Sequence, residues 1–135
     1  MRQASAEALK GLKEYRKAER EAYNAADLSL ADHFAEDFIL TSNGVPTVQG
    51  RDAARELFRN IWDQYHARFA EVHDDLVVEA GDFLFVNGRF TLELTPRQGG
   101  ETIFDKGRYQ GVLKRGKDGK YLLWREATMD EGKPT

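Results

Sequence analysis

Apolar residues recur at helical spacing from Ala4 to Ala26, with Leu9, Leu12, Ala22, Tyr23 and Ala26 on one broad face. The intervening charges, Lys10 through Glu21, alternate in sign and give weak pairs such as Lys17 with Glu21, so this pattern predicts a long helix with one solvated face. Asp27 is a candidate N-cap for a second, short helix carrying Leu28, Leu30, Ala31 and Phe34, which Asp37 closes before a short strand at Phe38, Ile39 and Leu40. Asn43-Gly44 and Val45-Pro46 mark a turn. Asp52 is the expected cap of a third helix, in which Ala54, Leu57, Phe58, Ile61, Trp62 and Tyr65 repeat at three and four up to about His66. Beyond it the period falls to two. Strands are predicted around Val72 to Val78, Phe83 to Leu94, Thr102 to Arg115 and Lys120 to Met129, separated by turn residues at Ala80-Gly81-Asp82, Pro96 to Gly100 and Gly116 to Gly119. Helices first and hairpin-linked strands afterwards predict an α+β fold in which helices cover one face of a twisted, antiparallel sheet. The Gly132 to Thr135 tail is expected to fray.

At 135 residues and 41% hydrophobic, the chain suits one domain with one core. It has no cysteine, which removes disulfide scaffolds, thiol nucleophiles and iron-sulfur sites. A net charge of -3 argues against nucleic-acid binding, despite basic and aromatic residues interleaved around Arg108, Tyr109, Lys114, Arg115 and Tyr121. Apolar runs such as Phe83 to Val86 are too short for a membrane span or a signal-peptide core, so a soluble, cytoplasmic protein without membrane attachment is expected. Gly111 to Lys117 has the spacing of a phosphate-binding loop, but Asp118 stands where the Mg²⁺-holding hydroxyl belongs and the segment lies in a hairpin. His33, His66 and His73 lack the spacing of a metal pair, and Ser5, Ser29 and Ser42 lie in no nucleophile elbow. Neither metal nor cofactor is expected.

The last hairpin carries the informative chemistry. A four-residue loop at Gly116 to Gly119 sets Arg115 opposite Lys120, Leu113 opposite Leu122, Gly111 opposite Trp124 and Tyr109 opposite Glu126. Those residues share the face that the helices should cover, so Glu126 is a carboxylate on an apolar surface. Burial there would raise its pKa toward the range of a general acid or base. Two blander readings stand beside it: Glu126 reaches water at the strand end, or it pairs with an arginine for structure. On the opposite, outer face lie Arg108, Gln110, Val112, Lys114, Tyr121, Leu123 and Arg125, of which Val112, Tyr121 and Leu123 form a candidate dimer surface.

Ala22 to Leu28, His33 to Asp37, Gly50 to Ala54, Ala80 to Asp82, Gly88, Asp105 to Tyr109 and Asp118 to Tyr121 together resemble, in order and spacing, the SnoaL-like/DUF4440 branch of the NTF2-like superfamily, over about residues 8 to 130. The resemblance implies a cone, in which a curved, mostly antiparallel sheet wraps the long first helix and a pocket opens between sheet and helices, usually in a dimer formed sheet to sheet. The family hosts isomerases, polyketide cyclases, epoxide hydrolases and dehydratases, so fold alone does not choose the function. Where its ketosteroid isomerases place their base this chain aligns Ser42, where they place a protonated Asp it aligns Gly111, and their first-helix Tyr falls near Glu19. That acid/base set is missing. Glu126 matches a last-strand position where the branch often has an acid facing the pocket.

Asn87-Gly88 reads as a two-residue hairpin turn, yet the resemblance places Gly88 inside a strand, where a glycine marks a bulge and would turn Asn87 or Arg89 toward the pocket. The expected function is a pocket for an apolar small molecule, with acid/base chemistry through Glu126 and Tyr109, and with Tyr23, Ser42, Trp62, Phe85, Asn87, Arg89 and Trp124 as ligand contacts. The alternative is a dimeric ligand-binding or protein-association module without chemistry.

Overall fold

A computed structural model of the chain describes residues 2–131, and the Gly132 to Thr135 tail lies outside them. A two-residue strand, β1 (Arg2–Gln3), leads into helix α1 (Ala6–Asn24). Ser5 caps α1: its Oγ accepts from the Ala8 N–H at 3.1 Å, and its own N–H donates to Glu79 at 2.9 Å. Within the helix a Cβ on Gly11 would come within 2.8 Å of the Tyr121 ring, so this glycine lets α1 rest on that ring. The helix closes with Asp27 N–H donating to the Ala22 carbonyl and Ala26 N–H to that of Tyr23, a Schellman pattern that places Ala26 at φ 52°.

The second helix of the sequence pattern is a 3₁₀ segment (Leu28–His33), capped by Asp27, whose side chain accepts from Ser29 N–H. It stops early because Phe34 is already extended, and strand β2 (Phe34–Ser42) begins there. Phe34 thereby stacks on Phe38 in the core, with ring centroids 4.4 Å apart. After β3 (Val48–Gln49), α2 (Gly50–Gln64) has Gln49 at its N-cap without a side-chain cap bond; Asp52 sits in the first turn and pairs with Arg55 at 2.7 Å. Strands β4 (Tyr65–Ala80), β5 (Phe83–Pro96), β6 (Ile103–Arg115) and β7 (Tyr121–Asp130) follow as a meander.

The seven strands form one sheet in the order β1-β4-β5-β6-β7-β2-β3, antiparallel except where β2 runs parallel to β7. Both long helices lie on its concave side. Leu12, Tyr15 and Tyr23 of α1 and Ala54, Phe58 and Trp62 of α2 bury against Leu84, Val86, Leu113 and Leu123 of the sheet. This is a cone of the α+β class with an open, mostly antiparallel sheet.

Bulges set which side chains face inward. In β4, Ala70 and Asp75 are extra residues, because Phe69 pairs with Leu92 but Glu71 with Thr91, and Asp74 with Gly88 but Leu76 with Asn87. The bulge near Asn87-Gly88 is therefore carried by the opposing strand. Strand β5 keeps unbroken pairing with β6 from Phe83 to Leu94, so Leu84, Val86, Gly88 and Phe90 are buried inward while Asn87 and Arg89 stay outside. Arg89 forms an ion pair with Asp75 at 2.8 Å.

The final hairpin differs from the expected register twice. Arg115 pairs with Tyr121, and Leu113 with Leu123, one residue off from the four-residue loop; then Val112 pairs with Arg125 and Gly111 with Glu126, so Trp124 is an extra residue. The first shift turns Tyr121 and Leu123 inward, where both are buried, and removes them from the outer face proposed for a dimer. The bulge reverses the phase again. Glu126 consequently faces inward, as its sequence position suggested, although the pairing that suggested it is not the pairing present. Trp124 faces outward, where its indole N–H donates to Asp37 and the Arg125 guanidinium lies 4.3 Å from its ring.

Candidate functional site

Between the concave sheet face and the helices lies a cavity of about 280 Å³. One wall is apolar and is built largely by Leu57, Phe58, Ile61, Phe69, Val72 and Leu92. The other follows β7. Its inward side chains after the bulge are Glu126, Thr128 and Asp130, spaced by about 7 Å because alternate residues of a strand share a face. Ser42 on β2 accepts a hydrogen bond from Thr128 Oγ1 at 2.6 Å, which leaves its own O–H able to donate into the cavity.

At the inner end, α1 supplies Tyr15, Arg16 and Glu19, of which Glu19 lies four residues beyond Tyr15 and three beyond Arg16 and so meets both side chains. Arg16 reaches Glu19 at 3.0 Å with one terminal nitrogen and Asp74 of β4 at 3.0 Å with the other, while its Nε donates to both Asp74 oxygens at 3.2 Å. Tyr15 donates to Glu19 at 3.0 Å. Tyr109 donates to Asp74 and to the His73 carbonyl oxygen, and the Arg16 guanidinium lies 5.0 Å from its ring. A Cβ at position 88 would collide with the His73 carbonyl oxygen and the Tyr109 hydroxyl, so glycine is what lets the Tyr109 ring cross β5 to reach β4.

Glu126 stands beside this network and accepts no hydrogen bond from it among the described residues. Burial without a partner, then the negative charges of Glu19 and Asp74, push its carboxyl up to about 8 against the opposing pull of Arg16. It is accordingly protonated near neutral pH. Burial, followed by the Glu19 carboxylate, also holds the Tyr15 hydroxyl well above its ordinary value. Burial raises Tyr109 too, with Arg16 opposing and the bond to Asp74 adding to the rise. At the cavity mouth Asp105 of β6 is pushed up to about 6 by burial and by the neighbouring Asp130 carboxyl.

Of the sequence candidates, the fold brings Glu126, Tyr109, Tyr23 and Ser42 to the cavity. Trp62 packs on Tyr23 and Phe58 in the core and borders a separate surface hollow with Arg59 and Arg97. Phe85 and Asn87 border a shallow hollow on the convex face. Arg89 and Trp124 also point away from the cavity, for the strand-phase reasons given above. The sequence reading missed Arg16, Glu19 and Asp74. The first two look like members of a solvated charge run, and Asp74 like an exposed strand residue. The spacing of Tyr15 and Glu19 on the buried side of α1, and the resemblance that set a first-helix position near Glu19, hinted otherwise. Among the described residues no cluster of His, Asp and Glu has the arrangement of a metal site, and no helix is long and apolar enough to cross a membrane.

A curved sheet folded over a long helix, with a recessed carboxyl in the cavity between them, defines a cone-shaped pocket protein. The chain belongs to the SnoaL-like domain family, whose sequence profile matches residues 9–124, and thereby to the NTF2-like superfamily. A conserved protein from Planctomyces limnophilus has a similar structure, with a TM-score of 0.82 at 15% identity over 90% of this chain and 94% of that one. A ketosteroid isomerase-like protein from Erwinia carotovora atroseptica gives 0.74 at 19% identity over 96% and 100% of the two chains. An NTF2-like protein with a cystatin-like fold from Novosphingobium aromaticivorans gives 0.73 at 13% identity over 93% and 83%. At these identities the likeness is one of fold. No curated protein matches the sequence.

Proposed function

We propose that the protein binds an apolar small molecule in the concave cavity and that Glu126 acts there as a proton donor near neutral pH. The observation carrying this reading is the Glu126 carboxyl itself, set in the cavity wall without a hydrogen bond from any described residue, where burial favours the protonated form. Ser42 supplies a second donor, for a ligand carbonyl or hydroxyl. Tyr109 acts on the site by position: its proton is already committed to Asp74 and the His73 carbonyl, so it fixes the wall beside Glu126. In this scheme proton transfer needs no metal or cofactor, and isomerisation, cyclisation and dehydration all fall within its reach.

One observation favours a module that binds without chemistry. Every other polar group at the inner end is satisfied within the network, so Glu126 has no free acid or base to work with. A carboxyl-detected NMR titration of Glu126 tests the proton donor directly. A midpoint near 8 supports it, and one at the ordinary glutamate value near 4.5 removes it. With a substrate in hand, Glu126→Gln should then lower turnover by about a hundredfold or more, whereas unchanged turnover would assign the cavity to binding alone. The convex face around Ile39, Phe85 and Val112 is the surface we propose for self-association, and sedimentation as a monomer would refute it.

A further inference from the structure

The charges around the cavity are one-sided. Among the described residues Glu19, Asp105 and Asp130 line it against one cation, Arg16, whose guanidinium is divided between Glu19 and Asp74, while the protonated Glu126 adds no charge. Asp105 and Asp130 sit together at the mouth, brought there by the inward phase of β6 and β7, with Gly107 directly opposite Asp130. A Cβ on Gly107 would strike the Phe90 ring, so an aromatic ring lies against the strand between the two acids and Tyr109. Among the described residues neither aspartate forms an ion pair. Burial and the neighbouring Asp130 carboxyl disfavour the charged form of Asp105, a repulsion that an incoming cation would relieve. Glu126 adds an unpartnered carboxyl to the same wall.

We propose that the ligand of this cavity is an apolar molecule bearing a protonated amine, with the ammonium between Asp105 and Asp130 beside the Phe90 ring and the apolar body against Leu57, Phe58 and Ile61. The inference rests on the ligand-binding reading above and adds the charge of the ligand. Carboxylates and phosphates are disfavoured, because they would enter beside Asp105 and Asp130 with no free cation among the described residues to receive them. The aromatic ring contributes a cation–π contact at the same place.

Three probes with a common naphthalene skeleton separate the possibilities by isothermal titration calorimetry on the full chain: 2-(1-naphthyl)ethylamine, 2-(1-naphthyl)ethanol and 1-naphthylacetate. The amine is expected to bind about tenfold or more tighter than the alcohol, as one charge-assisted contact provides, and the carboxylate weaker than either. In the double variant D105N/D130N the ratio of amine to alcohol affinity should collapse toward one. Alcohol binding equal to amine binding, or a ratio untouched by the double variant, overturns the ammonium site and leaves the apolar pocket standing. If none of the three binds, both the ammonium site and the pocket reading fall.

Discussion

Replacing Glu126 by Gln should stabilise the fold, and increasingly so as pH rises. The folded-state carboxyl titrates near 8, against 4.5 for an unburied glutamate. Below about pH 4.5 folded and unfolded chains both hold the proton, and the residue costs nothing. As pH rises the unfolded chain ionises first, so native stability is lost progressively until the folded carboxyl ionises too, near 8. At 1.36 kcal/mol per pH unit the full interval corresponds to roughly 4–5 kcal/mol, and water entering the cavity would screen this to about 2 kcal/mol. Glutamine keeps the shape and cannot ionise. Urea unfolding of both proteins across this pH range should give coincident stabilities at the acid end and a gap of about 2 kcal/mol in favour of Gln at about pH 8. A gap constant with pH would mean that Glu126 titrates normally, and the proton-donor reading would go with it. The expected loss of turnover in the same variant would make this a site where function is retained at the expense of stability.

Other consequences of the site can be measured in the same way. Arg16→Met leaves Glu19 and Asp74 without their shared cation and should destabilise by about 3–5 kcal/mol in urea unfolding near neutral pH, and a loss under about 1 kcal/mol would show the network to be idle. Gly88→Ala puts a methyl into the Tyr109 hydroxyl and the His73 carbonyl oxygen; a drop of about 3 kcal/mol or failure to fold is expected, and wild-type stability would refute the close approach. Ala26→Gly relieves a left-handed alanine at the end of α1, and a gain of about 0.5 kcal/mol in thermal unfolding is expected, since the glycine's greater unfolded-state freedom offsets part of the relief.

Element types and order were legible because the hydrophobic period changes from helical to alternating after His66 and because the three hairpin turns carry turn residues. The inward or outward sense of individual strand residues was not. It depends on bulges at Ala70, Asp75 and Trp124, and a bulge leaves little mark in the residues that form it. Trp124 shows the difficulty: a tryptophan closing the apolar run from Tyr121 reads as core, yet it lies outside with its N–H on Asp37. Tyr23 reaches the cavity on helical spacing and Tyr109 because β6 itself carries no extra residue, whereas Ser42 was placed by the family resemblance. Arg16 and Asp74 were hidden for another reason. They lie 58 positions apart in sequence, and a charge run on a helix reveals nothing about which member turns inward to meet a strand.

The extra residue at Trp124 means that β7 is written in two frames. Ahead of it odd-numbered residues build the core, and after it even-numbered ones line the cavity. Absorbing that residue into regular pairing, with Trp124 opposite Val112 and Arg125 opposite Gly111, would leave the segment next to the hairpin undisturbed while transposing everything downstream, so that Arg125 and Ala127 would enter the hollow and the carboxyl would turn to the outside. Register at this point, more than the identity of any side chain, decides which chemistry the interior is offered.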